Sequence, residues 1–144
     1  MNRIPPVQRE VVVDLEPDRA FQVFTDKIGE WWPLGDFGVF GAGASVVVRE
    51  GMIVESLGDK TAVWGTVTEW EPPSRLAFTW HPGKDPGTAS AVSVSFEPVG
   101  GGTRVLLEHT GWEVFSDPAG ARDEYDHGWP AVLARYSELA NRAG

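Results

Sequence analysis

The sequence predicts one α+β domain over residues 1–144, in which an antiparallel sheet of about seven strands curls around a long C-terminal helix. The length is typical of one domain, and 42% hydrophobic residues can supply one core. Helical periodicity follows the first strand and returns near the C-terminus, whereas a period of two dominates between residues 45 and 110. Strand runs separated from helix runs are typical of α+β domains with antiparallel sheets.

The first strand is predicted at Val7–Leu15, which is rich in valine. Short helices follow this strand. The first begins at Pro17, because proline suits the first helical position and Asp18 favours the positive end of the helix dipole. The apolar stripe of that helix consists of Ala20, Phe21 and Phe24.

Residues 34–44 are rich in glycine and alanine and are predicted to form a loop that Phe37 and Phe40 anchor. Six strands are then predicted, at Ser45–Glu50, Met52–Leu57, Ala62–Trp70, Arg75–Trp80, Ala89–Glu97 and Thr103–Thr110. Because the turns between them are short and rich in glycine and proline, consecutive strands should pair antiparallel.

The last element is an amphipathic helix whose apolar residues recur with a period near 3.6. They are Tyr125, Trp129, Val132, Leu133, Tyr136, Leu139 and Ala140. Gly128 and Pro130 interrupt this pattern, so either the helix begins near Asp126 or a longer helix bends at Pro130. We favour the longer, kinked helix.

Composition excludes several classes of function. The absence of cysteine excludes disulfide scaffolds, thiol chemistry and cysteine metal sites. A net charge of −9 disfavours nucleic acids and anionic membranes as partners. Neither phosphate-loop nor nucleophile-elbow motifs occur, and the three histidines lack metal-ligand spacing, so we expect no metal and no cofactor.

The first residues contain no apolar signal segment, and no run of residues is apolar enough to span a membrane. The sequence therefore favours a cytoplasmic protein, and arginine outnumbering lysine suggests a GC-rich bacterial genome. We expect a monomer or a homodimer.

His109 is the best single candidate for a catalytic, proton-transferring residue, because an unperturbed histidine has a pKa near ~6.5. It shares the inner face of its predicted strand with Val105 and Leu107, whereas Glu108 points the other way. The sequence leaves two interpretations: a core histidine hydrogen-bonded to backbone, which we favour, or a ligand contact.

Aromatic residues supply the main functional signal. The chain has 7 tryptophans, and strand alternation places many aromatic side chains on the inner face of the sheet. An aromatic core and an aromatic-lined pocket look alike in sequence, so both remain open. The candidate ligand-binding residues are Trp32, Phe37, Phe40, Trp64, Phe78, Trp80, Phe96, Leu107, His109, Trp129, Leu133 and Tyr136.

Several segments resemble a known superfamily in order along the chain. Val67–Trp80 resembles the strand–Pro-Pro–strand hairpin of SRPBCC domains, most closely those similar to the activator of heat-shock protein 90 ATPase. Gly102–Trp112 is similar to their penultimate segment, and Pro17–Phe24 is similar to the start of their first helix. Gly128-Trp129, followed by Leu133 and Leu139, resembles their C-terminal helix. The resemblance implies a START-like helix-grip fold with a cavity between the sheet and the C-terminal helix.

Members of this superfamily bind or transform lipids, polyketides, hormones and aromatic compounds, so three hypotheses follow. The leading one is a binding protein for a small apolar, aromatic or lipid-like ligand. The second is an enzyme of the polyketide cyclase, aromatase or hydrolase kind that uses a polar residue: His109, Glu108, Tyr136 or Arg104. The third is a chaperone-related or regulatory interaction protein, whose acidic surface would favour a basic partner.

Overall fold

The protein is described by a computed structural model covering residues 4–81, 87 and 89–143, without the side chains of residues 36, 37 and 143. Seven strands are present: β1 (Val7–Val13), β2 (Ser45–Arg49), β3 (Met52–Leu57), β4 (Lys60–Glu71), β5 (Arg75–Trp80), β6 (Ser90–Val99) and β7 (Gly102–Thr110). Helices α1 (Pro17–Asp26), α2 (Ile28–Trp31) and α3 (Leu34–Phe37) follow β1. A 3₁₀ helix at Trp112–Val114 precedes the last helix, α4 (Pro118–Ala143).

The strands form one antiparallel sheet in the order β1-β7-β6-β5-β4-β3-β2. Six consecutive strands thus make a meander, and β1 joins its far edge beside β7. This arrangement, with the long α4 against the sheet, confirms the predicted α+β helix-grip fold. The predicted strand bounds differ from the observed ones by at most two residues.

Two short helices were not predicted, namely α3 inside the supposed loop of residues 34–44 and the 3₁₀ helix before α4. The longer form of the C-terminal helix is confirmed, because α4 contains Pro130 and begins at Pro118. Asp117 marks that start, since its Oδ1 accepts a hydrogen bond from the Gly120 N–H at 3.2 Å. The kink at Pro130 stays a prediction.

The core lies between the sheet, α1, α2 and α4. Strand residues buried in this core include Trp64, Phe78, Trp80, Val94, Phe96, Val105, Leu107 and His109. Tyr136 of α4 is fully buried, and its hydroxyl donates a hydrogen bond to the Ala20 carbonyl oxygen of α1 at 2.9 Å. Among the described helices, none is both long and apolar enough to cross a membrane.

The pairing of β4 is interrupted next to Trp64. Gly65 pairs with Ile53 of β3, whereas Val63 pairs with Val54, so Trp64 is the extra residue of a bulge. On the other side, a Cβ atom at Gly65 would overlap the Thr79 carbonyl oxygen of β5. This close approach of two strands brings Trp64 and Trp80 together, with ring centroids 5.6 Å apart.

Replacing Gly65 with alanine should therefore force β4 and β5 apart. We expect Gly65→Ala to lower the free energy of unfolding by about 1–3 kcal/mol, measured by urea denaturation. Gly35→Ala is the matched control, because the nearest atom to a Cβ there is the Ala42 Cβ at 3.9 Å. Equal stability of the two variants would show that the strands do not approach as described.

Candidate functional site

An open cleft lies between the sheet and the N-terminal half of α4. Its volume is about 250 Å³, and its lining residues are Trp32, Trp80, Glu124, Tyr125, Gly128, Trp129 and Val132. Trp32 follows α2 and Trp80 ends β5, while the other residues come from α4. Spacings of three and four residues place these side chains on one face of the helix.

Three indoles form the inner wall of the cleft and contact one another. The ring centroids are 5.7 Å apart for Trp32 and Trp80, 5.5 Å for Trp80 and Trp129, and 5.8 Å for Trp32 and Trp129. Tyr125 stacks on Trp129, with a centroid distance of 6.3 Å and an interplanar angle of 28°. The wall is thus aromatic, and among the described residues that line the cleft Glu124 is the one that carries a charge.

Behind this wall the space between the sheet and α4 is filled by side chains. The void enclosed there has a volume of only about 10 Å³ and is bounded by residues including Phe78 and the three indoles. A space of that size holds at most about one water molecule. Any ligand of the cleft therefore contacts the outer side of the indole wall, not the middle of the sheet.

His109 holds Trp129 in place from within the core. The Trp129 Nε1–H donates to His109 Nδ1 at 3.0 Å, so the proton of the neutral ring resides on Nε2. His109 Nε2 lies 2.7 Å from Ser90 Oγ, which in turn donates to the Trp80 carbonyl oxygen at 3.3 Å. The chain of hydrogen bonds joins two cleft residues through β6 and β7.

This geometry corrects the expected surroundings of His109. We expected a core histidine bonded to backbone, but its partners are the side chains of Trp129 and Ser90. Burial lowers the pKa of His109 to about 3, so the ring is neutral at physiological pH. Because both ring nitrogens are occupied, the ring acts as a positioning group for Trp129.

Glu55 holds a second tryptophan and was not identified from the sequence. This carboxylate is fully buried: Oε1 accepts hydrogen bonds from Val39 N at 2.7 Å and Trp64 Nε1 at 2.9 Å. Its Oε2 accepts from Phe40 N at 2.9 Å. Trp64 then packs against Trp32 of the cleft, with centroids 4.9 Å apart.

The structure separates the predicted site residues into three groups. Trp32, Trp80 and Trp129 line the cleft, and Phe78 borders the void behind it. Trp64, by its side chain, and Phe40, by its backbone, belong to the Glu55 network. The remaining described candidates are buried in the core: Phe96, Leu107, His109, Leu133 and Tyr136. The side chain of Phe37 lies outside the described part of the structure.

Four cleft residues were absent from the predicted site: Glu124, Tyr125, Gly128 and Val132. Tyr125 and Val132 did belong to the predicted helix stripe, but their position beside the cleft depends on how α4 crosses the sheet. Within residues 4–81, 87 and 89–143, no three acidic or histidine side chains converge as a possible metal site.

The burial of His109 should make the stability of the protein depend on pH. Its folded pKa of about 3 lies below the ordinary value of 6.5. Between these values the unfolded chain binds a proton that the folded protein does not, so stability falls as the pH is lowered. We expect this group to remove about 2 kcal/mol of stability between pH 7 and pH 5.

The His109→Gln variant lacks this titrating group. Its free energy of unfolding, measured by denaturant titration, should therefore fall less between pH 7 and pH 5 than that of the native protein. His127→Gln is the matched control, because His127 is exposed on α4. An unchanged pH dependence in His109→Gln would contradict the assignment.

Comparison with known proteins places the chain in a family. Residues 14–141 match the family model described as activator of Hsp90 ATPase homolog 1-like protein. No curated protein matches the sequence. The solution structure of the Aha1 dimer from Colwellia psychrerythraea is 15% identical with a TM-score of 0.70, over 96% of this chain and 97% of that chain.

Two further solved structures are more similar in sequence. The anthrahydroquino-γ-pyrone synthase Txn09, in complex with SUM, is 31% identical with a TM-score of 0.61, over 96% of this chain and 99% of that one. The self-sacrificing resistance protein CalC from Micromonospora echinospora is 25% identical with a TM-score of 0.68, over 97% and 96%. By the match of its residues 14–141, this chain belongs to the family of activator of Hsp90 ATPase homolog 1-like proteins, within the SRPBCC-type fold.

Proposed function

We propose that the protein binds a planar, largely apolar aromatic molecule in the cleft between Trp32, Trp80 and α4. The observation that carries the proposal is the indole wall itself, three mutually contacting tryptophans that line an open cleft of about 250 Å³. Aromatic faces attract other flat rings by stacking and edge-to-face contacts, each worth about 0.5–1.5 kcal/mol beyond area burial.

The wall is held rigid before any ligand arrives. Trp129 donates its N–H to His109, and Trp32 packs against Trp64, whose own N–H is bound by Glu55. Preorganised walls lower the entropic cost of binding, because the side chains need not be ordered by the ligand. Rigid, flat surfaces also favour flat ligands over flexible ones.

The volume of the cleft and the negative charge of the protein restrict the class of ligand. The cleft is slightly smaller than the ~300–1,000 Å³ typical of drug-sized sites, which favours about two or three fused rings. Glu124 at the cleft and the net charge of −9 disfavour anions. Long lipid chains are disfavoured too, since the space behind the indole wall is filled.

The relatives support an aromatic, polyketide-like ligand. Txn09, 31% identical over nearly the whole chain, is named as a synthase of an anthrahydroquino-γ-pyrone. We extend the ligand class of that name, fused aromatic rings, to this chain as part of the proposal. The chaperone-related alternative stays a prediction, because the likeness to the Aha1 structure at 15% identity supports the fold alone.

An enzyme acting on such a ligand is the second candidate, favoured by the synthase relative and by the carboxylate of Glu124 at the cleft. The catalytic candidates that the sequence suggested do not line the cleft. His109 and Tyr136 are engaged in the core, Arg104 forms ion pairs with Glu10 and Glu97, and Glu108 accepts a hydrogen bond from Gln8. In this second candidate function, Glu124 would be the acid–base group.

Filling the cleft tests the proposal. Gly128 lines the cleft from α4, so Gly128→Leu places an isobutyl group in the ligand space. We expect this variant to bind fluorene at least about tenfold more weakly than the native protein, measured by equilibrium dialysis with protein in excess.

The matched control is Ala131→Leu, which adds a similar side chain at an exposed position of the same helix. Its affinity for fluorene should equal that of the native protein. Failure of the native protein to bind fluorene, or equal binding by both variants, would contradict the proposed function.

A further inference from the structure

The indole N–H groups of the buried tryptophans divide into paired and unpaired ones. Trp31 donates to the Val23 carbonyl oxygen at 3.0 Å, Trp64 donates to Glu55, and Trp129 donates to His109. The N–H groups of Trp80 and Trp112 have no hydrogen-bond partner within the described residues, although both side chains are buried. A buried donor without an acceptor is unusual and calls for an explanation.

Of these two tryptophans, only Trp80 lines the cleft. Trp112 does not line it: its ring packs against His109, with centroids 4.3 Å apart, and stacks on Phe115 at 5.9 Å. Trp80 is 4% exposed and its N–H is buried, so this unpaired donor belongs to a side chain that lines the cleft.

Tyr125 is the side chain that covers this donor. Burial raises the pKa of Tyr125, and the Trp80 N–H opposes the rise. The two groups do not form a hydrogen bond of good geometry. Tyr125 is only partly buried and lines the cleft from α4.

We propose that Trp80 Nε1–H is the polar anchor of the cleft and donates a hydrogen bond to a carbonyl or quinone oxygen on the aromatic ligand. The inference rests on the proposed function and deepens it, because it defines the ligand class as planar aromatic ketones and quinones. The ligand oxygen takes the place beside Trp80 that the Tyr125 hydroxyl now occupies. Stacking on Trp32 and Trp129 then holds the ring system, and the hydrogen bond fixes its orientation.

The test compares two probes that differ only at one carbon, 9-fluorenone and fluorene. Their dissociation constants are measured by equilibrium dialysis in the native protein, in Trp80→Phe and in Trp112→Phe. Trp112→Phe is the matched control, because it also removes a buried, unpaired indole N–H but outside the cleft.

We expect the preference for fluorenone over fluorene to fall about three- to tenfold in Trp80→Phe, the usual effect of one neutral hydrogen bond. In Trp112→Phe the preference should match that of the native protein. An unchanged preference in Trp80→Phe, with both probes still bound, would overturn this inference and leave the proposed function standing. Failure of the native protein to bind either probe would overturn both.

If Trp80→Phe does not fold, a second measurement tests whether Trp80 donates a hydrogen bond to the ligand. The infrared carbonyl stretch of bound fluorenone should lie lower than in an apolar aprotic solvent, because hydrogen bonding weakens the C=O bond. The lowered frequency should persist in Tyr125→Phe, which removes the other nearby hydroxyl donor. A frequency equal to that in the apolar solvent, or one that reverts in Tyr125→Phe, would overturn the assignment to Trp80.

Discussion

Hydrogen bonds from the buried indole N–H groups of Trp31, Trp64 and Trp129 connect the elements of this structure, and much of its architecture depends on them. Glu55 and His109 are both fully buried polar residues on strands, and each accepts a hydrogen bond from a tryptophan. An unpaired charge in such a place would be costly, but Glu55 accepts three N–H groups, two of them from the backbone after α3. The same bonds that satisfy the indoles thus tie the segment after α3 and helix α4 to the sheet.

The cleft lies at the edge of this bonded core. Trp129 and Trp32 each face the cleft on one side and an immobilised neighbour on the other, so the wall is both aromatic and rigid. Helix-grip folds serve many functions, and the function of this chain must therefore be argued from its site. Here the interior is filled and the cleft lies outside it, so the proposed function favours small flat molecules over long apolar chains.

The sequence predicted the fold well because local patterns determine most of it. Strand alternation and glycine-rich turns located seven strands, and the helical period located α4. The start of α4 at Pro118 was not predicted, because the first turns of this helix lack an apolar stripe. Glu55 is two residues from the buried Ile53 on β3, so strand alternation places its carboxylate on the inner face. This pattern could have identified Glu55 as a buried polar residue. The cleft could not be predicted, since which aromatic residues fill the core and which face solvent depends on the packing angle of α4.

A crystal structure of the protein with 9-fluorenone tests the central claim most directly. The account predicts the flat ring system against Trp32 and Trp129, with its oxygen within hydrogen-bonding distance of Trp80 Nε1 and the Tyr125 ring displaced. A ring system bound instead in the groove between β1 and α4, which Arg9, Val11 and Pro130 help to line, would contradict it.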